Sequence, residues 1–323
     1  MRCISAMLLL GLVFPALAAG AGKDVKLSLV AYSTPKDAYA KIIPAFQKTA
    51  AGKDVGFSQS YGASGEQARA VAQGLPADVV ELSLAPDVDS LVKAHVVSSS
   101  WNKNAYRGIV TRSVVVFVVR GGNPKHIRTW SDLLKSGVQV VTPNPFTSGG
   151  ARWNVMAAYG GALRAGKSRA QAVAYLTQLF KKHVVAQPSS AREALQTFLA
   201  GKGDVLLSYE NEAILAKNKG QSVNWVAPKA TILIENPVAV TSTTKHAAQA
   251  KAFVKFLYTP QAQSLFAETG YRPVLKSVQR KFQFTSPKQL FTIGYVGGWS
   301  KVEKTFFDPN SSVMATIERG LGG

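Results

Sequence analysis

The stretch Thr142-Pro143-Asn144-Pro145-Phe146-Thr147-Ser148-Gly149-Gly150-Ala151-Arg152-Trp153-Asn154 places a hydroxyl and two glycines directly ahead of a helical run. Val138, Val140 and Val141 end an apolar strand before it, and Ala151, Val155, Ala158 and Tyr159 carry helical spacing after it. Ser148 therefore occupies an N-cap position. A helix start offers unpaired N–H groups and a partial positive charge, and two glycines let an anion approach without Cβ obstruction. The chemistry indicated is oxyanion binding; an ordinary capped helix would use the same residues.

Three further strand-to-helix junctions begin with a hydroxyl. Thr34-Pro35 follows the strand Val25 to Val30, with Pro35 expected at the first helical position. Ser64-Gly65-Glu66-Gln67 and Ser190-Ala191-Arg192-Glu193 both have capping-box form. Ser148 differs, because Ala151 at its N3 position offers no reciprocal bond and leaves the hydroxyl for a ligand oxygen. Four such junctions in one chain are what a site for a desolvated small anion would be assembled from.

The elements that must position these residues alternate. Strands are expected at Val25 to Val30, Val79 to Leu82, Val114 to Val119, Val138 to Val141, Val205 to Leu207 and Val238 to Val240. Helices are expected at Ala38 to Phe46, Gln67 to Gln73, Arg169 to Phe180, Arg192 to Leu199, Ala247 to Leu257, Pro260 to Glu268 and near Val313 to Arg319. This is an α/β pattern. Chain crossings are expected near Thr111 and in a loop at Asn236-Pro237. The crossings divide the chain into lobe I, residues 19–110 plus 238–278, and lobe II, residues 111–237 plus 279–323, with ligand in the cleft at the C-terminal ends of the strands.

Composition narrows the classes. Arg2, the apolar run Ala6 to Leu17 and Ala16-Leu17-Ala18 read as a signal peptide, residues 1–18, which implies export. The single cysteine, Cys3, lies inside that segment, so no disulfide and no cysteine metal site is expected beyond it. The formal charge is +20, but the basic residues are scattered and accompany no nucleic-acid motif, so nucleic acid is not expected as a partner. His95, His126, His183 and His246 lie far apart and outside the hydroxyl-rich junctions, with no zinc-protease or nucleophile-elbow pattern. Neither a metal nor a cofactor is expected, and the chain does not read as an enzyme.

The loop above, together with Gly203-Asp204-Val205-Leu206, Glu210-Asn211-Glu212-Ala213 and Tyr271-Arg272-Pro273, resembles the bacterial periplasmic sulfate-binding proteins. Gly62-Ala63-Ser64-Gly65, Ala77-Asp78-Val79-Val80 and Gly297-Gly298-Trp299 extend the likeness over residues 25–317. The resemblance implies a two-lobed type II periplasmic binding protein fold, the sulfate-capturing part of an ABC importer that works as a monomer with permease subunits. It implies ligand contacts at Thr34, Ser64, Ser148, Gly149, Gly150, Ala191 and Tyr209, with Arg152 and Arg192 acting behind them. Thr34 stands where the family commonly has an aspartate, an acidic partner for a nearby arginine. Tyr209 stands where an indole N–H would donate; its hydroxyl either donates from a different reach or the ring only packs beside the site. Surface solvation or pairing with Glu193 and Glu210 is the alternative for the arginines, and Trp153 and Tyr271 read as packing residues.

Sulfate carries no proton near neutrality and suits a site made of donors, whereas hydrogen phosphate needs an acceptor. None of the matched positions is a carboxylate. Sulfate is expected, with thiosulfate or another tetrahedral oxyanion as the alternative and a secreted sulfate- or phosphate-ester hydrolase as the rival class.

Overall fold

The computed structural model describes residues 25–320; the signal-peptide reading and Cys3 lie outside them. The first half builds β1 (Val25–Tyr32), α1 (Lys36–Gln47), β2 (Val55–Gly62), α2 (Ser64–Ala72), β3 (Val79–Glu81) and α3 (Ala85–Lys93). The long strand β4 (Ile109–Arg120) leads into β5 (Val140–Val141), α4 (Gly149–Arg164), α5 (Arg169–Lys182) and β6 (Val184–Ala186). Then come α6 (Ala191–Leu199), β7 (Val205–Tyr209), α7 (Glu210–Asn218), β8 (Val223–Val226) and a second long strand, β9 (Ala230–Val240). Helices α8 (Ala247–Leu257) and α9 (Pro260–Glu268) precede a C-terminal segment of short elements ending in the helix Val313–Arg319.

Strand order is β2-β1-β3-β9-β4-β7-β5-β6. β1 pairs in parallel with β2 and β3, and β5 in parallel with β6 and β7, so a parallel set lies at each end. β4 and β9 join the sets as an antiparallel pair, from Ile109↔Pro237 to Val114↔Leu233. β9 then pairs with β3 at Val80↔Ala239, and β4 with β7 at Phe117↔Leu207. The segment expected as a loop at Asn236-Pro237 is not one. Asn236 and Pro237 lie within β9, at a shift in the β4 register that accommodates a proline lacking a ladder donor.

Alternation along the strands divides the core. On β4, Val115, Phe117 and Val119 join the cluster with α4 and α5, while Val114, Val116 and Val118 meet Ala194, Leu195 and Phe198 of α6. On β1, Leu27, Leu29 and Ala31 face α1, whereas Val30 faces Ala68 and Val71 of α2. Both faces of each set are thus covered by helices, as parallel strands require. The loops leaving the C-terminal ends of β1, β2, β3, β5, β6 and β7 carry the hydroxyl-rich junctions.

Candidate oxyanion site

The junctions converge. The Gly65 N–H donates to Thr147 O at 3.0 Å, joining the start of α2 to the loop before α4. A Cβ placed on Gly150 would lie 3.3 Å from both Ala191 Cβ and Ser148 Oγ, and 3.6 Å from the Tyr209 ring, so the starts of α4 and α6 meet the end of β7. The Arg192 N–H reaches Ser33 Oγ at 3.3 Å, and its guanidinium donates to Thr34 O at 3.0 Å, bringing in the loop after β1. Thr34, Ser64, Ser148, Gly149, Gly150, Ala191 and Tyr209 are all buried. An apolar cavity of about 330 Å³ under Trp130 and Tyr175 shares none of these residues.

Helix-start chemistry differs among the four junctions. Ser148 caps α4, but the bond it accepts from the Ala151 N–H is long at 3.4 Å. Ser190 forms the expected capping box with Glu193. Ser64 does not cap: α2 begins at Ser64 with Ala63 as N-cap, because its hydroxyl turns to donate to Asp87 at 2.5 Å and accept from the Ser83 N–H at 2.8 Å. Pro35 stands one position earlier than its sequence reading, as the N-cap of α1. The amides of Ser64, Gly149, Gly150 and Ala191 lie in first turns, where an α-helix has no carbonyl to offer them. Their helix dipoles add positive potential at the same place.

Both arginines are engaged by carboxylates. Arg192 donates to Glu212 at 2.9 and 3.0 Å and to Asp37 at 2.8 Å, and Lys219 also bonds Asp37. These are not the sequence-expected partners: Glu193 caps its helix and Glu210 pairs with Arg272. Asp37 supplies the acid that Thr34 lacks. Burial disfavours the Arg192 charge, but Glu212 and Asp37 outweigh it and hold the guanidinium protonated. Arg152 donates to Pro145 O at 3.0 Å and to Glu303 at 2.7 Å. Neither arginine is left as a free counter-charge at the helix starts.

Tyr209 stays protonated, since burial pushes its phenol up. Its hydroxyl lies 2.6 Å from Ser83 Oγ. Tyr271, expected only to pack, bonds Thr34 Oγ1 at 2.6 Å and Tyr32 at 3.2 Å through its hydroxyl. Trp153 is buried against Trp299, with centroids 4.7 Å apart, and its indole N–H donates to Ser83 O at 2.9 Å. Ser83, Ser33 and Asn236 are the site neighbours that sequence reading missed. Ser83 obeys the same junction rule as the others, but α3 after it buries only Asp87, Val88 and Leu91, too few apolar residues to carry a helical period in the sequence. Among the described residues no cluster of three metal-ligating side chains occurs, and no helix is long and apolar enough to cross a membrane.

A two-lobed α/β molecule with helix starts gathered in the cleft between its lobes is the architecture of an extracellular solute receptor. The profile of the bacterial extracellular solute-binding proteins matches residues 27–272. The sulfate-binding protein of Synechococcus elongatus is 44% identical over 299 residues, covering 89% of this chain and 85% of its own. The thiosulfate-binding protein of Pseudomonas aeruginosa is 36% identical over 292 residues, covering 86% and 88%. Among solved structures, the sulfate-binding protein SubI of Mycobacterium tuberculosis superposes with a TM-score of 0.85 at 45% identity, covering 88% of this chain and 100% of that one. The chain belongs to the bacterial extracellular solute-binding protein family, among its sulfate- and thiosulfate-binding members.

Proposed function

We propose that this chain captures sulfate between its lobes and delivers it to the membrane subunits of an ABC importer. The carrying observation is the convergence of first-turn amides from α2, α4 and α6, with the Ser148 hydroxyl, in a buried place whose arginines already hold carboxylates. A dianion there meets neutral donors and no side-chain acceptor that must keep a proton. Bonds to a charged group contribute roughly 1.5–3 kcal/mol each, and micromolar affinity requires about 8 kcal/mol. A handful of aligned donors is sufficient even after desolvation losses.

The lobes are residues 19–110 plus 238–278 and residues 111–237 plus 279–323. Supporting this division, β4 and β9 are the paired crossings, and Gln289–Phe291 pairs with Ala230–Ile232 on the second side. Thr34 and Ser64 then face Ser148, Gly149, Gly150, Ala191 and Tyr209 across the cleft, so closure assembles donors from both sides. We place the protein in the periplasm as a monomer, exported through the segment Met1 to Ala18.

The names of relatives support thiosulfate as the second reading, since its terminal oxygens would meet the same amides. Ser148→Ala tests the site directly: sulfate affinity is expected to fall about tenfold in calorimetric titration, with the circular dichroism spectrum unchanged. Parental affinity in that variant would refute the assignment. Incubation with a sulfate ester is expected to leave it intact, and released alcohol would favour the hydrolase class.

A further inference from the structure

Ser83 is bonded on every polar atom it has. Its N–H donates to Ser64 Oγ at 2.8 Å, and its carbonyl accepts from Trp153 Nε1 and from Asn236 Nδ2, each at 2.9 Å. Its hydroxyl lies 2.6 Å from the Tyr209 hydroxyl. These partners come from α2, from α4, from the crossing strand β9 and from the end of β7. The residue is 1% exposed, and its Oγ is 2.8 Å from where a Gly149 Cβ would stand, against the tip of α4.

Two hydroxyls sharing one hydrogen bond use one proton between them and keep the other for a third group. The phenol is the stronger acid, so Tyr209 is the natural donor to Ser83 Oγ, and such chains polarise the outer O–H. We propose that Ser83 is a further binding determinant: with Tyr209 it forms a two-hydroxyl unit that ties the lobes together with one proton and presents the other to the bound oxyanion. This rests on the sulfate reading above and explains how a tyrosine replaces an indole donor. Tyr209 does not have to reach the anion alone, because Ser83 completes the distance from the opposite side of the cleft.

The test is a double-mutant cycle with Ser83→Ala and Tyr209→Phe, reading sulfate affinity by calorimetry and dissociation by stopped-flow. Each single variant is expected to lose about tenfold in affinity, mainly through faster dissociation, and the double variant to lose about the same tenfold rather than about a hundredfold. Unfolding midpoints of the ligand-free variants should match the parent, which separates loss of the unit from loss of packing. Additive losses in the double variant, or Ser83→Ala binding sulfate like the parent, would overturn the proposal while leaving the functional reading in place. A parent protein that binds none of sulfate, thiosulfate and molybdate would bring down both.

Discussion

Gly149 shows how little room the closed cleft leaves. A Cβ there would lie 2.2 Å from Leu84 Cδ2 and 2.7 Å from Ser83 Cβ, across the proposed lobe boundary. Gly149→Ala is therefore expected to hold the lobes apart and lower sulfate affinity by about a hundredfold or more, with little change in ligand-free stability. Titration of that variant at parental affinity would show that closure tolerates the methyl group. Glu81 is a different kind of residue. It is fully buried on β3, accepts a bond from the Tyr39 hydroxyl, and leaves Oε1 without a partner. The phenols of Tyr32, Tyr61, Tyr258 and Tyr271 feel its charge, and no salt bridge reaches it among the described residues. Burial, opposed only in part by Tyr39, raises its pKa to about 8. The native state thus keeps a proton that the unfolded chain releases near its ordinary value, so the associated stability is complete below about pH 4.5 and is lost as pH rises through about 8. Relative to Glu81→Gln, the parent should lose roughly 1.4 kcal/mol per pH unit across that window in urea unfolding. Parallel curves for the two proteins would mean that Glu81 ionises as freely folded as unfolded.

Element by element, the pieces that bring the junctions together depend on a few buried polar ties. Arg272 and Glu210, 2.7 Å apart, are both nearly inaccessible, and Thr285 donates to the same carboxylate from its N–H and hydroxyl. They fasten the start of α7, and hence the end of β7 with Tyr209, to the segment after α9. Arg272→Met leaves Glu210 buried without its cation and is expected to destabilise the fold by about 3–5 kcal/mol in denaturant titration; a change below about 1 kcal/mol would place the tie elsewhere. Apolar periodicity made α8 and α9 legible in the sequence with the bounds the structure has, and α6 to within one residue. It failed for α7, whose first turn buries Glu210, Asn211 and Glu212, so polar letters conceal a buried face. β2 has only one fully buried residue, Val55, and its mixed sequence carries no alternation. The first half of β9 was hidden by Asn236-Pro237, which reads as a loop until β4 is seen to supply the pairing. Site residues were legible where a hydroxyl preceded a recognised helix. Ser83 was lost with α3, and the partners of Arg192 were lost because Asp37 and Glu212 are neighbours only in the folded chain.

For the whole molecule, β4 and β9 link two half-sheets, and beside the apolar contact of Leu84 with Gly149 the proposed lobe boundary is crossed by polar contacts: Gly65 to Thr147, Ser189 to Glu66, and Arg192 to Ser33, Thr34 and Asp37. Polar contacts of this kind exchange for water when lobes open, unlike an apolar seam, which suits a receptor that must release its cargo. The formal charge of +20 acts at longer range. A scattered positive surface raises the local concentration of a dianion, so sulfate association should slow several-fold as salt rises from about 10 mM to about 0.3 M. Dissociation should change little, because the proposed donors are buried and neutral; stopped-flow rates equal at both salt levels would remove any role for the surface charge. At the proposed site, convergent amides and hydroxyls are expected to select a tetrahedral anion that carries no proton. Calorimetric titration of the purified protein with sulfate, thiosulfate, molybdate and phosphate near neutral pH tests it most directly. Sulfate is expected to bind with a dissociation constant of about micromolar or tighter and phosphate at least about a hundredfold more weakly; equal affinity for all of these anions would rule out selection by the convergent donors.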